Sequence, residues 1–123
     1  MARIERGALS VSWDGVIAGR ETKALATFAK TLQYHEKLEK EGRIDGSRVF
    51  FAVTGRSRGQ VVMVGRLEEL SRVLTDDEFT SNLQEAGLVA TGLEVTLWAG
   101  GAADTISGAM SDYTEQLQEH GLL

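Results

Sequence analysis

One long amphipathic pattern constrains the fold of this chain more than any other feature. It covers residues 19–44, and its apolar residues recur at the spacing of one helical face. These residues are Ala24, Leu25, Phe28, Leu32 and Leu38. Lysines and glutamates fill the opposite side, and Gly42 is typical of the residue that ends a helix. The pattern therefore predicts a helix with one face against a sheet, and His35 and Glu39 interrupt that face.

Four short apolar stretches predict strands at residues 9–13, 48–54, 60–64 and 93–98. A glycine-rich turn at residues 55–59 joins the middle two. Helical patterns follow from Leu67 and, after the capping sequence 75–78, from Phe79. The order β-α-β-β-α-β is that of the ferredoxin-like split βαβ arrangement, an α+β fold with a four-stranded antiparallel sheet and its helices on one face.

The chain of 123 residues predicts a single domain over residues 1–123, with residues 103–121 as an appended C-terminal helix. Gly100 and Gly101 form a joint before that helix. Its apolar residues have a heptad-like spacing at Ile106, Met110, Tyr113 and Leu117. Packing on its own domain and packing on a partner subunit are both open, and we expect the helix to lie at a subunit boundary.

Composition argues against several classes of function. The net charge of −5 does not suit a nucleic-acid-binding protein, which needs a basic face. No apolar run reaches membrane-spanning length, and no secretory signal is recognisable, so a cytoplasmic protein is expected. The absence of cysteine excludes thiolate chemistry, and no residue cluster calls for a metal or cofactor.

The alternation of the strands predicts two unlike sheet faces. One face is apolar and should meet the helices; it contains Leu9, Val11, Trp13, Val49, Phe51, Val53, Val62, Val64, Leu93, Val95 and Leu97. The other face is mixed: Ser10, Ser12, Asp14, Arg48, Phe50, Ala52, Thr54, Val61, Met63, Glu94, Thr96 and Trp98. It is too apolar for bare solvent and too polar for a dry core. Such a face suits a second subunit, with water or a small organic ligand enclosed.

The element order and the two-faced sheet resemble the dimeric α+β barrel superfamily, in which two ferredoxin-like subunits pair sheet to sheet. The residues Gly19-Arg20-Glu21, Ala24-Leu25, Phe28, Tyr34, Leu38 and Gly42-Arg43-Ile44 also resemble a group of small uncharacterised bacterial proteins of that fold. The resemblance covers about the first four-fifths of the chain and implies a homodimer or higher homo-oligomer. The superfamily includes cofactor-free monooxygenases, haem-degrading enzymes, chlorite-dismutase-like haem proteins, decarboxylases, lactone isomerases and members without known activity. No catalytic signature of these matches, so the resemblance supplies no catalytic residue.

His35 and Glu39 are the candidate catalytic residues. They stand four positions apart on the predicted helix, where a carboxylate can orient an imidazole and raise its basicity. The alternative is a histidine at the helix edge with a local hydrogen bond.

The candidate ligand-binding residues are Ser12, Trp13, Arg20, Arg48 and Glu94. Arg20 begins the long helix, where an anion is favoured, although capping and a surface ion pair explain it as well. Trp13 lies near the same rim or in the core. Arg48 and Glu94 share the mixed face with Ser12, either as a structural pair or as contacts of a small cavity.

Two functions remain open on the sequence. The first is a non-catalytic homo-oligomer with an accessory or interaction role, and it is favoured because no acid, base and oxyanion donor converge. The alternative is a small-molecule-binding protein or cofactor-free enzyme of the dimeric α+β barrel type, similar to monooxygenases or isomerases, which uses a cavity between the sheet and the helices, with His35 as the base.

Overall fold

The computed structural model describes residues 4–123, apart from the side chain of Thr105, and residues 1–3 of the predicted domain lie outside this range. The elements in chain order are β1 (Arg6–Trp13), β2 (Gly15–Val16), α1 (Glu21–Lys40), β3 (Gly46–Phe51), β4 (Gly59–Arg66), α2 (Leu67–Val73), α3 (Asp77–Gly87), β5 (Ala90–Thr91), β6 (Glu94–Ala99) and α4 (Ala103–Glu119). The four long strands form one antiparallel sheet in the order β3-β4-β1-β6. This arrangement confirms the predicted ferredoxin-like α+β fold.

A second, two-stranded sheet was not predicted. It pairs β2 with β5, and Gly15 lies opposite Thr91. Strands of two residues are too short to leave an alternating pattern in a sequence. This small ribbon ties the loop after β1 to the loop after α3, and both loops border the site described below.

The hydrophobic core lies between the sheet and helices α1, α2 and α3. Its fully buried members are Leu9, Leu38, Met63, Leu70 and Val73. Leu9 and Met63 are direct partners across β1 and β4, and Leu9 pairs with Leu97 on its other side. Side chains opposite each other in an antiparallel pair share a face, so the pairing fixes which face of every strand meets the helices.

The predicted faces of β4 were wrong. Val61 and Met63 were expected on the mixed face, yet their exposed fractions are 3 % and 0 %. Val62 and Val64 take the opposite face, where Val62 lies between Arg48 of β3 and Ser10 of β1. The stretch 61–64 is apolar throughout, so alternation does not decide its orientation; the register with β1 and β3 does.

Strand β3 is shorter than predicted, because it ends at Phe51 rather than at residue 54. Val53, assigned to the apolar face, is 98 % exposed in the turn that follows. For the central residues of β3 the predicted faces agree with the register, since Val49 pairs with Val61 and Arg48 with Val62.

Helix α1 lies within the amphipathic stretch of residues 19–44 and ends at Lys40. Gly42, predicted to end the helix, adopts a left-handed conformation with φ 74°, which L side chains rarely accept. The buried residues of α1 are Thr27, Tyr34, His35 and Leu38, whereas Leu25 is 71 % exposed. The face towards the core is therefore rotated from the purely apolar stripe and includes two polar side chains.

A polar network joins the end of α1 to α2 and α3. The Arg43 guanidinium donates to Asp76 Oδ2 at 2.7 Å and to Glu69 Oε1 at 2.8 Å, and the Tyr34 hydroxyl donates to Asp76 Oδ2 at 2.8 Å. The hydrogen bond from Arg43 holds the pKa of Asp76 below its ordinary value, and that of Glu69 is lowered in the same way. Burial, followed by the bond to Asp76, raises the pKa of Tyr34. These groups satisfy each other, so we regard the network as structural.

Helix α4 contributes little to this core. None of its described side chains is fully buried, and Met110 and Tyr113 are 65 % and 64 % exposed. Two of the four residues of its predicted apolar seam therefore remain largely uncovered within one chain. None of the helices formed by residues 4–123 is long and apolar enough to cross a membrane.

Candidate functional site

The candidate site is a cavity of about 410 Å³ between the sheet and helices α1 and α3. The sheet contributes Val11, Phe51 and Val61, and the loop after α3 contributes Val89. The lining is predominantly apolar, and the volume lies in the range of small-molecule sites. The site therefore belongs to one chain and lies on the helical side of the sheet, not on the mixed face.

Aromatic side chains form much of the cavity wall. Five of the eight aromatic residues in the chain line it: Trp13, Phe28, Tyr34, Phe51 and Phe79. The rings of Trp13 and Phe28 meet edge to face with their centroids 6.0 Å apart, and those of Phe28 and Phe51 are 6.3 Å apart. Aromatic rings favour such edge-to-face and tilted arrangements with further rings. The wall thus offers stacking and edge contacts to a planar ligand.

A glycine opposite Trp13 makes room for its indole. Gly59 is the partner of Trp13 in the pairing of β1 with β4. A Cβ atom at Gly59 would lie 2.7 Å from Cζ2 of Trp13, which is closer than real Cβ contacts, and 3.0 Å from the carbonyl oxygen of Phe50, which is a tight contact. Residue 59 must therefore remain glycine for the Trp13 ring to lie as it does in the wall.

The inner wall contains two polar side chains that we name the polar pair, His35 and Asn82. Their exposed fractions are 3 % and 6 %. Within residues 4–123, His35 Nδ1 and both polar atoms of the Asn82 amide are buried without a hydrogen-bond partner. Leaving such groups unsatisfied costs about 1–3 kcal/mol each, so both side chains have hydrogen-bonding capacity that the described residues do not meet.

The packing of α1 on α3 brings the polar pair to the same level of the cavity. Lys30 forms an ion pair with Glu85 at 2.9 Å, and Lys37 approaches Glu78 at 3.5 Å. The two helices are therefore antiparallel, and Asn82 lies beside the middle of α1 at about the level of residue 33. At about 1.5 Å of rise per residue, this is within one helical turn of His35.

His35 is a neutral group in this site. Burial lowers the pKa of its imidazole from 6.5 to about 4. The predicted pairing with Glu39 is not formed in the structure: no carboxylate contributes to this pKa, and Glu39 is exposed at the outer side of α1. Side chains four positions apart can touch on a helix, but His35 turns into the protein and Glu39 turns into solvent.

The charge of the cavity is small and negative. Glu21 is the charged residue among the described lining side chains, and its Oε1 accepts a bond of 3.2 Å from the Gly19 amide. Arg20, predicted to receive an anion, does not line the cavity; its guanidinium donates to the carbonyl of Leu88 just after α3. The lining that the structure describes thus offers no cation to a bound carboxylate or phosphate.

Three other candidate residues lie outside the cavity. Ser12, Arg48 and Glu94 belong to the mixed face, as the sequence predicted. Arg48 and Glu94 stand on the two edge strands, β3 and β6, with two strands between them. Strands lie about 4.8 Å apart, so the two side chains cannot pair within one chain. Of the candidate residues, the structure brings only His35 and Trp13 into the cavity wall.

Asn82 was missed by the sequence analysis. An asparagine among the polar residues of a short helix looks like an ordinary surface residue. The one available signal was its position three residues after Phe79, on the same side of α3. The exposed cavity rim was not predicted either: Leu25 and Phe51 were expected on buried apolar faces, yet they are 71 % and 68 % exposed.

Comparison with known proteins supports the fold. No protein-family model and no curated protein matches the chain. A dimeric protein of unknown function and ferredoxin-like fold from Bacteroides fragilis matches with a TM-score of 0.58 at 9% identity, covering 77% of this chain and 96% of that one. A conserved protein of unknown function from Bacteroides thetaiotaomicron, described as a possible oxidoreductase, matches with a TM-score of 0.58 at 14% identity, covering 80% and 100%.

SnoaB, a cofactor-independent oxygenase from Streptomyces nogalater, matches with a TM-score of 0.56 at 14% identity, covering 80% of this chain and 96% of that one. At such identities the likenesses concern the fold alone. The chain has a ferredoxin-like fold, as its sequence predicted.

Proposed function

We propose that this protein binds a small, uncharged aromatic molecule in the cavity between the sheet and helices α1 and α3. The observation that carries the proposal is the aromatic wall, in which Trp13, Phe28 and Phe51 touch in sequence around a space of about 410 Å³. A largely apolar cleft with a few polar groups is the usual form of a small-molecule site. The absence of a cation among the described lining residues supports an uncharged ligand.

Binding, rather than catalysis, is the role we assign to the site. An efficient general base has a pKa near the working pH, and burial holds the pKa of His35 at about 4. The described lining has no second acid or base next to it, because Glu39 points elsewhere. This proposal combines the two functions left open by the sequence: a non-catalytic homo-oligomer whose subunits each hold a small molecule.

The proposed oligomer is a homodimer formed through the mixed face. Phe50 and Trp98 are 52 % and 55 % exposed there, and Val62 and Val64 share the same face. Apolar side chains grouped in this way need a cover, and a second copy supplies an identical face. The description of the Bacteroides fragilis protein as dimeric supports this assembly.

A cavity-filling variant tests the binding proposal. Naphthalene serves as the probe, since it is aromatic, uncharged and without polar atoms. NMR titration should show binding to the wild type and at least a tenfold loss in Ala24→Phe, because Ala24 lines the cavity and a phenyl group there occupies the ligand volume.

Ala26→Phe is the matched control. Ala26 lies on the same helix but is exposed and outside the lining, so this variant should bind naphthalene like the wild type. The proposal would be rejected by a wild type that binds no naphthalene, or by an Ala24→Phe variant that binds it undiminished.

A further inference from the structure

The aromatic wall does not explain why the cavity lining contains the polar pair. Apolar side chains at positions 35 and 82 would suit a cavity for a plain hydrocarbon and would avoid the cost of unsatisfied polar groups. The chain instead has His35 and Asn82 in the lining of the cavity, and His35 Nδ1 and the Asn82 amide are buried without partners among the described residues. Groups that destabilise the empty protein are expected where they serve a ligand.

We propose that His35 and Asn82 are specificity-determining residues that together bind a hydroxyl group of the ligand, so that the ligand is a neutral hydroxyaromatic compound. This inference rests on the proposed function and names the chemical class within it.

A hydroxyl group fits this pair better than other polar groups. It both donates and accepts, so it can donate to an imidazole nitrogen and accept from the amide nitrogen of Asn82. The amide carries a donor and an acceptor, so the match holds in either orientation of its side chain.

Charge excludes the nearest alternative, an aromatic carboxylate. His35 is buried and neutral, since desolvation lowers its pKa to about 4. The charged group in the described lining is the Glu21 carboxylate, and the Arg20 guanidinium is held by the Leu88 carbonyl outside it. A carboxylate would lose its hydration and gain no cation, which is costly.

Three probes of one size separate these cases: naphthalene, 1-naphthol and 1-naphthoate. In the wild type, 1-naphthol should bind more tightly than naphthalene, and 1-naphthoate should bind at least tenfold more weakly than 1-naphthol. Asn82→Leu and His35→Leu should each reduce the preference for 1-naphthol over naphthalene by roughly five- to tenfold, the effect of one hydrogen bond. Gln84→Leu, an exposed change on the same helix, should leave the preference unchanged.

Stability gives a second measurement of the same pair. Because the Asn82 amide has no hydrogen-bond partner among residues 4–123, Asn82→Leu should raise the thermal unfolding midpoint of the ligand-free protein. A lowered midpoint would mean that ordered water or protein already satisfies the amide, and it would overturn the inference.

The outcomes distinguish the inference from the proposed function. If naphthalene and 1-naphthol both bind and neither leucine variant changes their ratio, the polar pair does not select the ligand, while the aromatic cavity stands. If 1-naphthoate binds most tightly, the neutral ligand class is wrong. If none of the three probes binds to the wild type, the proposed function and the inference fail together.

Discussion

At the scale of single residues, the buried His35 couples stability to pH. Its pKa is about 4 in the folded protein and about 6.5 in an unfolded chain, so between these values only the unfolded state takes up the proton. The free energy of unfolding should therefore fall as the pH drops from about 6.5 to about 4. The full span is worth about 3 kcal/mol, and His35 adds no further loss below it.

Urea unfolding at pH 7 and pH 5 checks this prediction. His35→Leu should reduce the difference in the free energy of unfolding between the two pH values. The control His120→Gln, a change at an exposed histidine, should keep the wild-type difference. An equal slope in wild type and His35→Leu would show that His35 is not the group responsible.

The polar network around Asp76 makes a second residue-scale prediction. Asp76→Ala removes the acceptor of Tyr34 and one of the two acceptors of Arg43, so it should lower the free energy of unfolding by about 1–3 kcal/mol at pH 7. Asp77→Ala, at the exposed neighbouring position, is the control and should change stability much less. Since Arg43 lowers the pKa of Asp76, the stabilisation is present at neutral pH and is lost as acid protonates the carboxylate. A loss equal to that of Asp77→Ala would mean that the network contributes no stability.

The limits of prediction at this scale have a clear physical cause. His35 was recognisable, because a histidine inside an apolar stripe stands out. The sequence did not show that the His35 side chain would lie apart from Glu39, since a spacing of four residues on a helix permits contact without requiring it. Asn82 and the Trp13–Gly59 contact depend on how distant segments pack, and local sequence carries no record of that.

At the scale of elements, strand β4 separates the core from the proposed interface. Met63 is fully buried among the core residues, whereas Val62 lies on the mixed face beside Ser10. Met63→Glu should unfold the domain, because it places a charge in the core without a partner. Val62→Glu should leave it folded and should convert the proposed dimer to monomers. Circular dichroism and light scattering measure the two effects.

The opposite pattern would contradict the assigned register. A folded Met63→Glu variant would mean that Met63 is not core, and a Val62→Glu variant that remains dimeric would place the interface elsewhere. The element order was predictable, because turns and periodicities are local. The faces of β4 were not, since four consecutive apolar residues fit either orientation.

Helix α4 is the element that one chain leaves least covered. Truncation after Gly101 should leave the domain folded, because none of the described α4 side chains is fully buried. We expect the same truncation to give a smaller or weaker oligomer, as Met110 and Tyr113 then offer no surface to a partner. Sedimentation and urea unfolding of the truncated chain measure both. If the truncated chain unfolds, α4 belongs to the core; if its assembly is unchanged, α4 has no role there.

At the scale of the whole molecule, the two sides of one sheet differ. The helical side encloses an aromatic cavity within each chain, and the mixed side is the proposed contact between chains. The sequence predicted a mixed face with water or a ligand enclosed by it and, for the alternative function, a cavity between the sheet and the helices. The structure has the cavity in this second place, because α1 and α3 leave a space over the sheet that the side chains do not fill. The size of such a space follows from packing and not from periodicity.

The two tryptophans allow a direct test of this separation. Trp13 lies in the cavity wall, whereas Trp98 lies on the mixed face, where its Nε1 donates to Ser10 Oγ at 2.8 Å. A two-dimensional ¹H–¹⁵N spectrum shows the indole N–H of each as a separate signal. Titration with 1-naphthol should shift the Trp13 indole and the Asn82 side-chain amide and leave the Trp98 indole in place. A shift of the Trp98 signal alone, or of none of the three, would contradict the account.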